Sequence, residues 1–374
     1  MKFDKMKESN IYIYGIGSVY EKYKFFLDSY NVCGLICNDE NYWGKMKDNK
    51  YVFDPQSIEF SNCFIIIMSS FIEEISKELE RNGLEYGNDF CTYIDLDTGF
   101  NLHKILETGH FYSPIPNTSE IFSENYKPYE RNDDYLGINL NLQTQKDFVY
   151  RVNATRHEFN EFLEKNHDLF YLNNGYFGYV DSITYFTFIN HFKPQKIIEV
   201  GSGFTSALAL GTSIFCDLEI DFTFIEPYPE RIKKLLEGKK EMGCLLEDIV
   251  QNIPISTFSN LNENDFLFID SSHVSKINSD VNYLFFEVLP NLKKGTIIHI
   301  HDIFTQFEYP LDWIYNGRFW NENYILRAFL QYNNQFEILC FNNFAFDTFK
   351  DIHCLDENLL IDGHFGGSIW LRRI

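Results

Sequence analysis

The chain has 374 residues, 54 acidic against 32 basic, for a formal net charge of −22, and is 45% hydrophobic and 18% aromatic. That much apolar and aromatic material excludes a disordered chain and supplies core enough for two domains. The acidic balance disfavours nucleic acid and anionic membrane surfaces as partners, and no apolar run nears the ~20 residues that span a bilayer.

Asn10–Gly17 (NIYIYGIG) predicts a strand ending in glycines, followed by a helix over Val19–Asp28. Further strands are expected at Val32–Cys37, Cys63–Met68 and Phe90–Ile94, with a helix over Ile72–Arg81. This alternation predicts a small parallel α/β domain over residues 1–97. Gly15, Gly17 and Asp39 supply half of a dinucleotide fingerprint, but Tyr20 stands at the third glycine position, where bulk hinders close helix–strand packing. A structural or self-associating role, as in a homo-oligomer, competes there with nucleotide binding.

Residues 98–190 read as a connector and a helical cap of a cofactor site. Thr108–Pro116 (TGHFYSPIP) predicts an ordered connector, 117–135 an exposed polar loop and Gln143–Lys165 a helix. The loop and helix of Tyr171–Asn190 bring Asn174, Tyr176, Phe177 and Asp181 toward the site from its N-terminal side. Core packing explains the two aromatic residues equally well, whereas an unpaired buried acid at Asp181 is costly.

Lys196–Ser206 (KIIEVGSGFTS) predicts a buried strand, a turn at Gly201-Ser202-Gly203 and a helix over Thr205–Phe215. Glycines let the backbone and a helix N-terminus approach a ligand. Glu199 precedes them, giving E-x-G-x-G; an acid there repels a pyrophosphate but suits the positive methionine end of S-adenosylmethionine. Asp221–Ile225 is the next strand and ends at Glu226, placed for two ribose hydroxyls. Cys244–Leu246 precedes Asp248, placed for an adenine amino group.

Two further strands end in polar clusters. Asp265–Ile269 runs into Asp270-Ser271-Ser272-His273, and Gly295–Ile300 into His301-Asp302. Asp270, His301 and Asp302 make an oxygen/nitrogen donor set for Mg²⁺ or another divalent ion. His273 is then a candidate general base, alongside Asp270 and Asp302 as catalytic groups. A turn hydrogen bond between Asp270 and His273, with Asp302 as a helix cap, is the competing reading. Phe304–Trp320 reads as an aromatic lid, Asn321–Leu330 as a helix, and Phe336–Phe341 and Gly366–Leu371 as the last strands. Residues 191–374 therefore predict a doubly wound seven-stranded α/β sheet.

From about His110 onward the chain resembles a group of bacterial class I S-adenosylmethionine-dependent methyltransferases often encoded among glycan-assembly genes. The likeness runs through HFYSPIP (110–116), GINLN (137–141), KIIEVGSGFTSA (196–207), FTFIEPYPER (222–231) and NDFLFIDSSHVSKINSDVNYLFFEVLP (264–290). It continues through HIHDIFTQFEYP (299–310), GRFWNENYILRAFLQYN (317–333) and GGSIWLRR (366–373). It implies a Rossmann-like methyltransferase fold with cofactor at Glu199, Gly201, Gly203 and Glu226, and Ser202 lies in the same turn. A more distant similarity to metal-dependent sugar and macrolide O-methyltransferases would put their D-x-x-H and acid–Asp pairs on Asp270, His273 and 301–302. Here His301 replaces the first acid of the second pair. Residues 1–97 resemble the small Rossmann-like accessory domains of bacterial sugar-modifying enzymes.

The expectation is a methyltransferase acting on a hydroxyl of a saccharide or saccharide-linked acceptor. Two alternatives are a nucleotide-sugar oxidoreductase using the N-terminal glycine turn and a cofactor-binding scaffold without turnover. The eight cysteines form no C-x-x-C pair and the start MKFDKMKESN is polar, so the chain reads as a reduced cytoplasmic protein.

Overall fold

The computed structural model describes residues 9–374 except 25–26, 28–29, 61–62, 94, 96–110, 112, 124–134, 238–242, 357–358 and 361–364. The expected boundary at 97/98 and parts of the predicted connector, polar loop and first helix lie outside the described residues. The chain divides into two compact units, Met1–Asn117 and Thr118–Ile374.

The first unit is a six-stranded sheet of β1 (Asn10–Tyr14), β2 (Val32–Ile36), β3 (Met46–Lys47), β4 (Lys50–Phe53), β5 (Cys63–Ile67) and β6 (Phe90–Thr92). The order is β3-β4-β2-β1-β5-β6, with β3 antiparallel to β4 and the other pairs parallel. The β3–β4 hairpin is an addition to the expected strands. Its turn places Asp48 and Asn49 in the left-handed region, in a segment too polar to read as a strand. Helix α1 spans Ser18–Tyr23 and α2 spans Ile72–Arg81. Ile75 and Leu79, one helical turn apart, are the residues α2 buries. Tyr20, expected to hinder packing, is 2% exposed and part of the core around Leu35 and Ile66.

The second unit is a seven-stranded α/β sheet, as the sequence predicts. It comprises β7 (Lys196–Val200), β8 (Asp221–Ile225), β9 (Cys244–Leu246), β10 (Phe266–Ile269), β11 (Ile297–His301), β12 (Phe336–Phe341) and β13 (Ser368–Arg373). The order is β12-β13-β11-β10-β7-β8-β9, and β13 runs antiparallel to both its neighbours. Strands β7, β10 and β11 are almost wholly buried on both faces, which is why β10 (FLFI) is a continuous apolar run rather than an alternating one, while β7 and β11 bury Glu199, His299 and His301 among their apolar residues. One face is covered by α3 (Leu142–Lys165), α4 (Tyr179–Phe192) and α5 (Phe204–Phe215), with Trp370 stacked on Phe188 at a centroid distance of 3.8 Å. The other face packs Val281, Leu284, Val288 and Leu326, the last from α7; α6 is Glu230–Leu235 and α7 is Glu322–Leu330. The predicted helix over 281–289 is one short α turn running into a wide π turn at Leu284–Val288.

Strand order reverses at β7, with β8 and β9 on one side and β10 and β11 on the other. In open α/β sheets, ligands bind beyond the carboxyl ends of the strands at such a reversal.

Candidate functional site

The glycine turn after β7 is set by crowding. Gly201 has φ +83°, and a Cβ there would lie 1.7 Å from the carbonyl oxygen of Asp270 at the end of β10. Only glycine brings these two strand ends together. Ser202 N–H donates to Glu226 Oε2 at 3.0 Å, and Tyr228 N–H donates to Glu226 Oε1 at 2.8 Å, so the acid after β8 is fixed at the groove edge. Glu199 lies beneath the turn and is fully buried. Its Oε1 accepts from the hydroxyls of Thr205 and Ser206 in the first turn of α5, while Oε2 has no partner among the described residues. Burial pushes the Glu199 pKa up to about 8.

A groove of about 500 Å³ opens above the turn, lined by Gly201, Ser202, Gly203, Glu226, Asp270 and His273 among others. Tyr176 and Arg231 close one side, the guanidinium lying 4.0 Å from the ring centroid. Two of the sequence-expected cofactor residues are placed elsewhere. Asp248 is exposed beyond β9, its Oδ1 accepting from Ile249 N–H and Asn252 Nδ2. Asp181 is buried in α4 and accepts from Asn342 Nδ2, Ser368 Oγ and Gly367 N–H at 2.6–3.0 Å. It thereby pins α4 to the start of β13, and a Cβ at Gly366 would lie 2.7 Å from its Oδ1. Asn174 holds its loop by accepting from the backbone N–H groups of Tyr176 and Phe177.

The polar clusters after β10 and β11 meet at the groove floor. His273 Nε2 lies 3.4 Å from Asp270 Oδ1 and 3.3 Å from Asp302 Oδ2, and its Nδ1 lies 2.8 Å from Glu322 Oε2. Ligand atoms of Asp270, His273 and Asp302 all fall within 4.8 Å of one another. The carbonyl of His273 accepts from the N–H groups of Asn321 and Glu322 at the start of α7, and Trp320 lies over its ring. His273 and Asp302 both have left-handed backbones, at φ +59° and +56°, conformations that cost energy and persist only where the surroundings impose them. His301 points its Nε2 toward Asp302 Oδ1 at 3.5 Å, and its buried Nδ1 has no partner among the described residues.

Charge in the cluster is set by burial against ion pairing. Burial opposes the imidazolium of His273, but the hydrogen bonds to Asp270 and Glu322 and the nearby Asp302 outweigh it and hold its pKa well above the usual value. Burial raises both aspartate pKa values. At Asp270 the neighbouring His301, His273 and Arg231 prevail and lower it, whereas at Asp302 burial prevails. Glu322 was invisible to sequence reasoning, because an acid in the first turn of a helix is ordinary. Only the fold shows that its carboxylate is fully buried against His273.

A second cavity, of about 330 Å³, adjoins the groove and shares His301, Asp302, Trp313 and Arg318 with it. Arg318 stacks on Trp313, 4.6 Å from the ring centroid. Phe304, buried, meets Trp313 edge to face.

Residues 198–303 match the family described as a methyltransferase domain, and residues 7–87 match the family described as C2185-like, N-terminal. An uncharacterised protein of Archaeoglobus fulgidus is 35% identical over 167 residues, which cover 43% of this chain and 76% of the archaeal protein. The chain belongs to the family of that archaeal protein. It is an S-adenosylmethionine-dependent methyltransferase, with its matched domain built around the groove. Among solved structures, the methyltransferase is similar to the SAH-bound Podospora anserina methyltransferase PaMTH1, at 15% identity over 57% of this chain and 86% of that one, TM-score 0.38. It is also similar to the plantazolicin methyltransferase BpumL in complex with a triazolic desmethylPZN analog and SAH, at 14% identity over 62% and 99%, TM-score 0.36.

Proposed function

We propose that the methyltransferase transfers the methyl group of S-adenosylmethionine to a hydroxyl of a saccharide or saccharide-linked acceptor, with His273 in its neutral form accepting the hydroxyl proton. Turnover therefore rises with pH as the imidazolium favoured by the surrounding carboxylates is lost. The observation that carries this reading is the Glu322–His273 pair. A buried carboxylate 2.8 Å from Nδ1 orients the ring so that Nε2 faces the groove floor. A base held by a third group is the arrangement that deprotonation of a weak nucleophile requires. In the transfer, the acceptor oxygen forms a bond to the methyl carbon, the sulfonium–carbon bond breaks, and the sulfur leaves as a neutral thioether. The turn at Gly201–Gly203 and Glu226 hold the cofactor. Glu199 supports the turn from below, and Asp181 supports the adjoining cavity through β13. That cavity, walled by Phe304 and Trp313, receives the acceptor ring.

Asp270, His273 and Asp302 also fit a hard divalent cation such as Mg²⁺, for two carboxylates and one imidazole converge and the second ring nitrogen of His273 is held by a carboxylate, as in metal-binding histidines. His301, beside Asp302, is the further nitrogen donor. Bound there, the ion would supply Lewis-acid polarisation of the acceptor hydroxyl.

The test is calorimetry with S-adenosylmethionine and its demethylated product, followed by transfer of labelled methyl to a panel of saccharide acceptors with and without Mg²⁺ and a chelator. Binding is expected, weakened at least ~10-fold in Glu226→Ala. His273→Ala is expected to lower kcat by ~10²–10⁴-fold with little change in cofactor affinity. Cofactor binding with no transfer to any acceptor would instead favour a scaffold. Transfer that a chelator abolishes and Mg²⁺ restores would assign His273 to the cation rather than to the proton.

A further inference from the structure

The N-terminal unit has its own strand reversal at β1, with β2 on one side and β5 on the other. Beyond the carboxyl ends of these three strands lies a cavity of about 540 Å³, bounded by the segments 14–19, 37–39 and 68–71 and by one side of α2. Its wall is rich in hydrogen-bond acceptors. The hydroxyl of buried Tyr14 lies 2.5 Å from Asn38 Oδ1 and 3.0 Å from Glu78 Oε2, so one proton faces two acceptors. Asp39 Oδ1 is fixed by Asn41 N–H and Nδ2, which leaves Oδ2 for a ligand. Glu74 also lines the wall, and no Lys, Arg or His does among the described residues. Such a surface repels phosphate and accepts from hydroxyl groups.

The apolar part of the cavity suits a ring. Tyr42 and Phe71 line it from separate elements and keep 45% and 63% of their surface exposed, an unusual state for large aromatic side chains at a cavity. Gly17 lines the same space, and a Cβ built on it would meet no atom within 4 Å. The backbone there has φ −85°, which any residue adopts.

We propose that this cavity is a second ligand site, which takes a ring-bearing vicinal diol without phosphate, the diol on Asp39 and the ring between Tyr42 and Phe71. Half of the dinucleotide fingerprint is present, and its usual pyrophosphate partner is excluded by the carboxylates. A ribonucleoside and a glycosyl ring share the required chemistry.

The test is calorimetric titration of the full-length protein with its methyltransferase groove saturated by S-adenosylhomocysteine. The probes are adenosine, uridine, 2′-deoxyadenosine, a set of methyl hexosides, ADP and NAD. Binding of a ribonucleoside or of a methyl hexoside is expected, each identifying its source. ADP and NAD are expected to bind at least ~10-fold more weakly, and 2′-deoxyadenosine likewise if the nucleoside arm succeeds. Gly17→Val adds bulk to the cavity wall at a position where a Cβ meets no atom within 4 Å, and Asp39→Asn and Phe71→Ala change exposed groups; each is expected to cost at least ~10-fold in affinity. Failure of every diol probe, affinity for ADP or NAD equal to or above that of the diols, or unchanged affinity in folded Gly17→Val would overturn the proposal.

Discussion

Two buried acids at the site do different work. Glu199 has a folded pKa of about 8 against an ordinary 4.5, so the native chain keeps a proton that the unfolded chain releases. Native protein then binds more protons than unfolded protein, and the contribution of Glu199 to stability falls as pH rises from about 4.5 to about 8, levelling off beyond. In Glu199→Gln, which keeps an acceptor for Thr205 and Ser206, that slope disappears. The difference in unfolding free energy between wild type and variant, followed by denaturant titration without cofactor, is expected to change across this window; a constant difference would show Glu199 ionised throughout. Glu322 acts through His273. Glu322→Gln keeps a side chain of the same size beside Nδ1 but removes the charge, so it is expected to lower kcat less than His273→Ala while leaving KM for S-adenosylmethionine in place. A matching loss in KM would mean that Glu322 only holds α7 in place. Neither role was legible in the chain. E-x-G-x-G marks the acid before the turn, but the pattern does not say whether the carboxylate faces the ligand or lies beneath the glycines.

At the scale of single elements, the turn after β7 separates two glycines that look alike in sequence. Gly201→Ala would force a Cβ to within 1.7 Å of the Asp270 carbonyl, on a left-handed backbone. A destabilisation of ~1–3 kcal/mol or more is expected by thermal or denaturant unfolding, with loss of cofactor binding as β7 and β10 separate. Gly203→Ala meets only the flexible Arg231 side chain, at 3.2 Å, on an extended backbone. It is expected to fold with near-normal stability, and calorimetry then shows whether that position touches the ligand. The strand–turn–helix unit itself was readable because its apolar run, glycines and helix all point to one structure. The π turn at Leu284–Val288 was not, since nothing in LFFEV distinguishes it from an ordinary helix. The β3–β4 hairpin escaped for the opposite reason: two short, half-exposed strands carry no periodic signal.

The whole molecule contains two units, each with its own core and its own cavity beyond a strand reversal. Calorimetric unfolding is expected to show more than one transition, since separate cores unfold separately. S-adenosylhomocysteine is expected to raise the transition of the unit from Thr118 onward, and a diol bound beyond β1 to raise the other. A single transition shifted equally by either ligand would show that the two units unfold as one. The α/β character of both sheets was legible from the alternation of strands and helices. The strand order was less so, because β13 is joined to its neighbours only by pairings remote in sequence. Its position has a consequence for synthesis. β13 enters the sheet between β11 and β12, both of which leave the ribosome before it. The first unit is free to fold while the rest is still being translated, but β11 waits with one unpaired edge until Ser368–Arg373 emerges. His301 and Asp302, at the end of that strand, are therefore among the last groups to reach their final positions, and a nascent chain holds the glycine turn before it holds the acid–histidine cluster.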